Sequence, residues 1–460
     1  MSHQNLETFN IYQNIHFIGI GGIGISALAR ILAKEGHSVS GSDQHQSLNS
    51  DLLVSEGIAV KLGHSPENIP ANCDLVIYTT AVRPDNVEFQ EAGKRSLKLL
   101  SYPQAVGELT KSYRTVCICG THGKTTTTAL LGHILMQNNA DPTVIVGSLV
   151  KEFGNKNELL GDSGLLVLES CEYQEAFLNY SPKIIILNNI DPEHLDYFGN
   201  AENYLNAFRK FISKLPDDGL LIANGDDANV RKLIDEKSYQ FKILTFGREK
   251  GNDYRLKEKT IISPDRSESK LELLIPGRHN YLNSTAAFVC SRFLGLEAAP
   301  VRESINTFQG TARRFEIRGK IGNTTVVDDY GHAPAEIRAT LEAAREYFGK
   351  DSKILVIFQP HQYSRTYYFL DDFAVSFGLA NLVYIPNIYR SRDTDEEVAK
   401  VNPDILAAAI NRHQEGLAEN THNFAETLHK IKAGYQDFDA IITIGAGDIT
   451  RLAGDILDLI

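Results

Sequence analysis

Three things are scarce in this chain, and each scarcity removes a class of protein. No run approaches the ~18 uninterrupted apolar residues that a membrane-crossing helix needs. The start, MSHQNLETFNIYQ, has no basic stretch followed by an apolar core, so the expectation is a protein neither secreted nor inserted in a membrane. Cysteine is sparse and odd in number: Cys73, Cys117, Cys119, Cys171 and Cys290 form no C-x-x-C pair. That argues against a zinc site or a disulfide framework and for reduced thiols in a cytoplasmic protein. Positive charge is short, with 46 Lys and Arg against 58 Asp and Glu and a net charge of −12. Such a balance excludes a general nucleic-acid surface while allowing a local basic pocket for phosphates. Internal repeats and low-complexity tracts are lacking as well.

What remains is ample for folding. A chain of 460 residues, 42% of them hydrophobic, buries full cores and has the length of about three ordinary domains. The pattern is α/β throughout. An apolar run from Ile15 to Ile20 passes through GIGGIG into Ile25, Leu28, Ala29 and Leu32 at helical spacing, which reads as strand, glycine turn and helix. Runs at Ser38 to Gly41 and Leu75 to Tyr78 add parallel strands, giving a Rossmann-like domain over 1–112. A second strand, Thr115 to Cys119, bends at GTHGKTTT into a helix carrying Leu130, Leu131, Ile134 and Leu135. It opens a central domain over 113–312 with a mainly parallel sheet, further strands at Leu165 to Leu168 and Ile184 to Leu187, and a charged surface hairpin between Arg248 and Lys270. After Arg313-Arg314-Phe315 the pattern restarts with strand Thr324 to Val327, a helix with Ile337, Leu341 and Ala344 on one side, and strands at Ile354 to Phe358, Leu382 to Ile385 and Ala440 to Ile444. This is a third, Rossmann-like domain over 313–460.

Two glycine loops carry the chemistry. In a phosphate loop, glycines let backbone N–H groups converge on phosphate oxygens, a lysine neutralises charge, and the following hydroxyl completes the shell of magnesium. Gly120, Thr121, His122, Gly123, Lys124, Thr125 and Thr126 supply those parts, with Ile118 where the standard pattern has its first glycine. The plain alternative is a polar turn between strand and helix. The first loop places Gly19, Gly21 and Gly24 in G-x-G-x-x-G spacing, with Asp43 after the second strand in the position of a ribose-binding acid. Alone it points to a nicotinamide-dependent dehydrogenase; beside an ATP loop, a substrate linked to a nucleoside diphosphate explains both.

Other candidates gain weight only in company. Glu169-Ser170-Cys171-Glu172-Tyr173 ends an apolar strand where an acid helps hold magnesium, and Asp191, Glu193, His194 and Asp196 cluster after another. Singly, each is an ordinary solvated loop end, and a lone histidine is most often structural. Asn280 and Asn283 precede or open an alanine-rich helix, as adenine-reading amides or as simple helix caps. Arg313 and Arg314 sit at a hinge, suited to a transferring phosphate or to a surface ion pair. Asp328-Asp329-Tyr330-Gly331-His332 and the segment Gln359 to Arg365 lie just past strand ends, where open α/β sheets bind ligands.

Taken together, GTHGKTTT, ESCEY, NNIDPEHLDYF, PGRHNYLNSTAA, RRFE, DDYGHAP and FQPHQYSRT resemble the Mur ligase family, which builds peptidoglycan precursors, nearly end to end. Within it, GIGGIG, DDYGH and FQPHQYSRT are most similar to the branch that joins L-alanine to UDP-N-acetylmuramate through an acyl phosphate, with ATP and Mg2+. The resemblance implies that Gly19, Gly21, Gly22 and Gly24, with Asp43 nearby, bind the UDP pyrophosphate. It implies that Lys124, Thr125, Glu172 and His194 hold ATP phosphates and metal, that Asn280 and Asn283 contact adenine, Arg314 the γ-phosphate and Asp329 the ATP ribose. Tyr330, His361 and Arg365 are then expected to face the incoming amino acid. Departures from the family pattern are Ala333 for a second histidine, Cys171 and Tyr173 in a usually more acidic run, and Gln362 for a common arginine; they bear on amino-acid selectivity. The rival readings are the related ligase that attaches a recycled tripeptide to UDP-N-acetylmuramate, the dehydrogenase, and a non-catalytic nucleotide switch.

Overall fold

The computed structural model describes residues 9–236, 239–391 and 393–459. Among them are three sheets, each built around apolar strands covered on both faces, the reason their sequences read as continuous hydrophobic runs rather than alternating ones. Two compact units contain the sheets. One runs to Leu273 and takes in Tyr281–Phe308; the other holds Leu274–Asn280 and the chain from Gln309 onward.

The first unit contains two sheets. Strands Lys98–Ser101, Leu75–Tyr78, Asn14–Ile18, Ser38–Asp43 and Ala59–Leu62 lie side by side and all parallel. The order reverses between Asn14–Ile18 and Leu75–Tyr78, so a crevice opens beyond their carboxyl ends. Helix Ile23–Lys34 covers this sheet, with Ile25, Leu28, Ala29 and Leu32 buried. The second sheet has ten strands centred on Arg114–Cys119, flanked by Leu165–Glu169 on one side and Ile184–Leu187 on the other, all three parallel. The charged stretch expected as a surface hairpin is a three-strand antiparallel extension, Tyr254–Lys257, Thr260–Ile262 and Glu268–Lys270. Strand Thr143–Val150, which pairs antiparallel with Lys156–Leu159 at the opposite edge, had no distinct signal because its apolar run is broken by Gly147 and Ser148.

A polar seam joins these two sheets. Arg30, on the helix after the first glycine loop, places Nη1 3.2 Å from Glu158 Oε2 and Nε 2.5 Å from Glu56 Oε2. Lys156 reaches the other oxygen of Glu56 at 2.5 Å, and Lys34 Nζ lies 2.6 Å from Asp162. Arg30 and Glu158 are both buried; burial pushes the Glu158 carboxyl up, against the pull of Arg30 and Lys156. Charges so placed are tolerated only when paired, so the seam fixes how helix and hairpin meet.

The second unit holds a six-stranded sheet in which Glu316–Ile321 is antiparallel and the rest are parallel. Its centre is Ile354–Phe358 and Ala440–Ile444, every residue buried. Ile337, Leu341 and Ala344 of helix Pro334–Phe348 pack onto it, the side their spacing selects. All five cysteines are free, and Cys171 alone is exposed. No helix among the described residues is long and apolar enough to cross a membrane.

Candidate functional site

The phosphate loop leaves the central strand of the second sheet at Cys119 and enters helix Lys124–Gln137. Gly123, the residue before the helix, has φ +79°, a left-handed conformation that costs an L side chain about 1–2 kcal/mol. A Cβ there would also collide with Asn283 Oδ1. Gly120, at φ +130°, passes against the backbone of Asn189, 2.9 Å from where its Cβ would lie. Both glycines are therefore required by the turn itself. Around them Asn189 Oδ1 accepts the His122 amide at 2.8 Å, and the Thr121 hydroxyl donates to the Asp191 carbonyl at 2.9 Å.

Lys124 is folded over this loop. Its ammonium donates to the carbonyls of Gly120 at 2.6 Å and Thr121 at 2.9 Å, and pairs with Glu172 Oε2 at 3.0 Å. Burial works against the charge, yet the Glu172 carboxylate more than offsets it, and the ammonium is held above its ordinary value. Tyr204, deep in the core, donates its hydroxyl to Glu172 Oε1 at 3.2 Å. The two acids of the ESCEY segment divide the work. Glu169 Oε1 accepts the Thr125 hydroxyl at 2.8 Å and its other oxygen the Gly147 amide at 2.6 Å, which fixes the threonine. Glu172, three residues on, joins Glu193 and His194 in a group whose ligand atoms lie within 4.8 Å of one another. Glu172 Oε2 faces only the Lys124 ammonium, and a carboxylate oxygen has a second lone pair to offer a metal cation. The Asp196 side chain lies outside the described residues. Asp191, exposed, instead sits 3.3 Å from His122 Nε2, and Thr126 is buried in the first helical turn.

The first loop shapes a separate cleft of about 540 Å³ at the switch point of the first sheet, lined by Gly19, Gly21, Gly22, Asp43, His64 and Thr79 among others. Gly19 has φ +81°. Asp43 accepts the Gly21 amide at 2.8 Å, so this acid, expected at a ribose, also holds the loop in shape. Gly24 is elsewhere: a Cβ on it would stand 2.6 Å from the Tyr102 hydroxyl. Its smallness serves the packing of helix against Tyr102.

In the second unit, Tyr330 lies between two guanidiniums, Arg313 at 4.9 Å and Arg314 at 5.1 Å from its ring centre. Arg313 is committed to the fold: it donates to the carbonyls of Gly445 and Gly447 and lies 3.7 Å from the buried Asp328. Arg314 is one-third exposed, with Glu336 Oε1 at 3.9 Å. His332 stands edge-on to both Tyr330 and His361, and His361 stacks on Tyr389 at 5.4 Å. Arg365 has a buried Nη1 without a hydrogen-bond partner. Asn280 donates to the Pro276 carbonyl at 2.6 Å, within its own turn. The Asp329 carboxylate accepts the Phe315 and Gly331 amides, both at 2.8 Å, and the Thr340 hydroxyl at 3.0 Å. It is buried, and burial pushes its carboxyl up. Three internal donors thus hold the group expected at a ribose, and through them it shapes the turn that carries Tyr330.

Sequence reasoning passed over Tyr204 and Gly147 around the phosphate loop, and gave no individual role to Asn188 and Asn189 of NNIDPEHLDYF or to Gln359 of FQPHQYSRT, whose amide donates to Asn387 and Asp448 in the second unit. Their contacts could not be read from the motifs, since each acts on a segment distant in sequence.

Comparison with known proteins is consistent along the chain. Residues 14–114 match the Mur ligase family catalytic domain, 118–291 the Mur ligase middle domain and 313–447 the Mur ligase glutamate ligase domain. A UDP-N-acetylmuramate–L-alanine ligase of Clostridium botulinum is 38% identical over 96% of each chain. That of Caldanaerobacter subterraneus is 38% identical over 97% of this chain and 98% of its own. Among solved structures, the UDP-N-acetylmuramate–alanine ligase of Thermotoga maritima superposes with a TM-score of 0.80 at 30% identity, covering 97% of this chain and 98% of that one.

Proposed function

Because the chain belongs to the Mur ligase family, we infer that it joins L-alanine to UDP-N-acetylmuramate, with conversion of ATP to ADP and phosphate. The observation that carries this reading is the presence of two separate glycine-loop sites. Lys124 pairs with Glu172 and Thr125 with Glu169 at the end of the second sheet, while a cleft of about 540 Å³ opens at the first. A dehydrogenase has no use for the first set, and a nucleotide switch none for the second. The tripeptide-adding reading is not favoured by relatives that carry alanine ligase names over nearly their whole length.

The chemistry follows from what a carboxylate lacks. Hydroxide is a poor leaving group, so the lactyl carboxylate of the substrate attacks the γ-phosphorus of ATP, forming an acyl phosphate and releasing ADP. The neutral amine of alanine then attacks the acyl carbon, and the tetrahedral intermediate expels phosphate to leave the amide. Lys124 is proposed to spread the charge on the transferring phosphoryl group, and the amides of Gly120 to Thr125 to orient it. Arg314 is assigned to the γ-phosphate and Asn280 and Asn283 to adenine; Tyr330, His361 and Arg365 are assigned to the amino acid. Glu172, Glu193, His194 and the Thr125 hydroxyl suit Mg2+, which supplies charge neutralisation at the phosphate oxygens when bound. Gly19, Gly21 and Gly22 are assigned to the UDP pyrophosphate. The division into domains at 1–112, 113–312 and 313–460, and a place in the cytoplasm, complete the proposal; free thiols support the latter.

Phosphate release from ATP and magnesium tests it. Release that requires both UDP-N-acetylmuramate and L-alanine is the expected result. Release with the tripeptide in place of alanine, or without any sugar nucleotide, overturns it.

A further inference from the structure

Under the wall of the first cleft lies a carboxylate that the reaction does not use. Glu88, in the first turn of helix Val87–Lys94, is fully buried. Its Oε2 accepts the Ser42 hydroxyl at 2.6 Å and lies 3.2 Å from His16 Nε2. Its Oε1 accepts from Asn68 Nδ2 at 2.7 Å and the Ser65 amide at 3.2 Å, and lies 3.3 Å from His64 Nδ1. Burial alone raises a carboxyl, but His16, Ser42 and Asn68 outweigh it and hold Glu88 down at about 2. The group is therefore an anion inside the domain, and anions are buried only where they are fully engaged.

The consequence falls on His64, which lines the cleft. Its Nδ1 faces Glu88 Oε1 and, at 3.1 Å, the Ser42 oxygen, whose own proton is directed at Glu88. Both neighbours are acceptors, so Nδ1 carries the proton. In the neutral ring that leaves Nε2, on the opposite side of the imidazole, as an acceptor. We propose that Glu88 is a positioning residue for nucleotide recognition, holding His64 in the one tautomer whose Nε2 accepts a hydrogen bond from a hydroxyl or N–H of the nucleoside diphosphate. This rests on the cleft being the UDP site.

The test is calorimetric binding of UDP-N-acetylmuramate to the full chain carrying Glu88→Gln, His64→Ala, both together, or Gly21→Val, with steady-state kinetics beside it. Glu88→Gln keeps an acceptor oxygen toward the fixed donors of Asn68 and Ser65 and puts its N–H against Ser42, whose hydroxyl then accepts it and can donate to His64 Nδ1 in place of Glu88. Each single change is expected to weaken binding about tenfold, the scale of one lost hydrogen bond to a charge-fixed partner. The double variant is expected to be no weaker than the worse single one, with KM for ATP and kcat at saturation unchanged. A further loss from Glu88→Gln in the His64→Ala background equal to that in the wild type overturns the proposal, as does a matching rise in KM for ATP, which marks general damage. If Glu88→Gln does not fold, Ser42→Ala takes its place: a loss of binding that disappears in the His64→Ala background supports the proposal, and one that persists there overturns it. Undiminished binding in Gly21→Val removes the UDP site itself, whereas loss in Gly21→Val with full binding in Glu88→Gln and His64→Ala removes only this inference.

Discussion

Lys124 and Glu172 form an ion pair over the phosphate loop, Nζ to Oε2 at 3.0 Å, with the carboxylate side chain 1% exposed. Each neutralises a charge that the other's surroundings disfavour. Lys124→Ala or Glu172→Ala is expected to lower substrate-dependent ADP release at least 100-fold, the scale seen when a group stabilising transition-state charge is removed. Binding of UDP-N-acetylmuramate should persist in both. Coupled-assay turnover close to that of the wild type in either variant defeats the assignment. The pair also predicts non-additive stability: the double variant should melt higher than the two single losses summed would give.

The two adjacent arginines should separate cleanly. Arg313 is fastened to Gly445, Gly447 and Asp328, so Arg313→Ala is expected to destabilise the second unit by about 1–3 kcal/mol, the cost of stranding a buried partner. Denaturant melts measure that. Arg314, more open, should give the reverse result: Arg314→Ala keeps the melting midpoint and lowers kcat. Equal stability loss in both variants contradicts the division.

Glu88 predicts an acid limb in the stability profile. Its folded-state value, about 2, lies below the ordinary 4.5. The stability this contributes is therefore present above about pH 4.5 and is lost as pH falls through about 2. The gap in thermal midpoint between wild type and Glu88→Gln should narrow steadily across that window. A gap independent of pH shows that the carboxylate is not the source.

Glycines with different reasons should fail differently. Gly24→Ala pushes a methyl group toward the Tyr102 hydroxyl and is expected to lower the melting midpoint by overpacking, about 1–3 kcal/mol. Gly21→Ala crowds Asp43 and Ser47 beside the cleft and should raise KM for the UDP substrate more than Gly24→Ala does. Steady-state kinetics and melts on the two variants settle the order.

Much of this was legible where the chemistry is contiguous. GIGGIG and GTHGKTTT announce themselves because a strand, a tight turn and a helix follow one another in the chain, and the helix-facing residues repeat at 3.6. Glu172 was set apart from Glu169 by the family resemblance alone, since a spacing of three does not say which carboxylate turns toward Thr125. The internal bonds of Asp329 were hidden for a related reason: an acid after a strand looks alike whether or not it also folds back on Phe315 and Gly331. The Glu88 cluster left no trace at all. Its partners come from Ser42, His64, Asn68 and His16 on separate segments, and each of them alone is an unremarkable polar residue.

The seam between helix Ile23–Lys34 and the hairpin Thr143–Val150/Lys156–Leu159 has a metric consequence. Because Arg30 and Lys34 lock the helix behind the first glycine loop to the sheet that bears the second, the interval between the two loops belongs to the fold and not to whatever binds there. The first unit is thus a gauge of fixed span. On the proposed assignment of the two loops, a sugar nucleotide is measured by it from diphosphate to carboxylate, and an acceptor one bond too short or too long presents its carboxylate where no phosphoryl group is waiting.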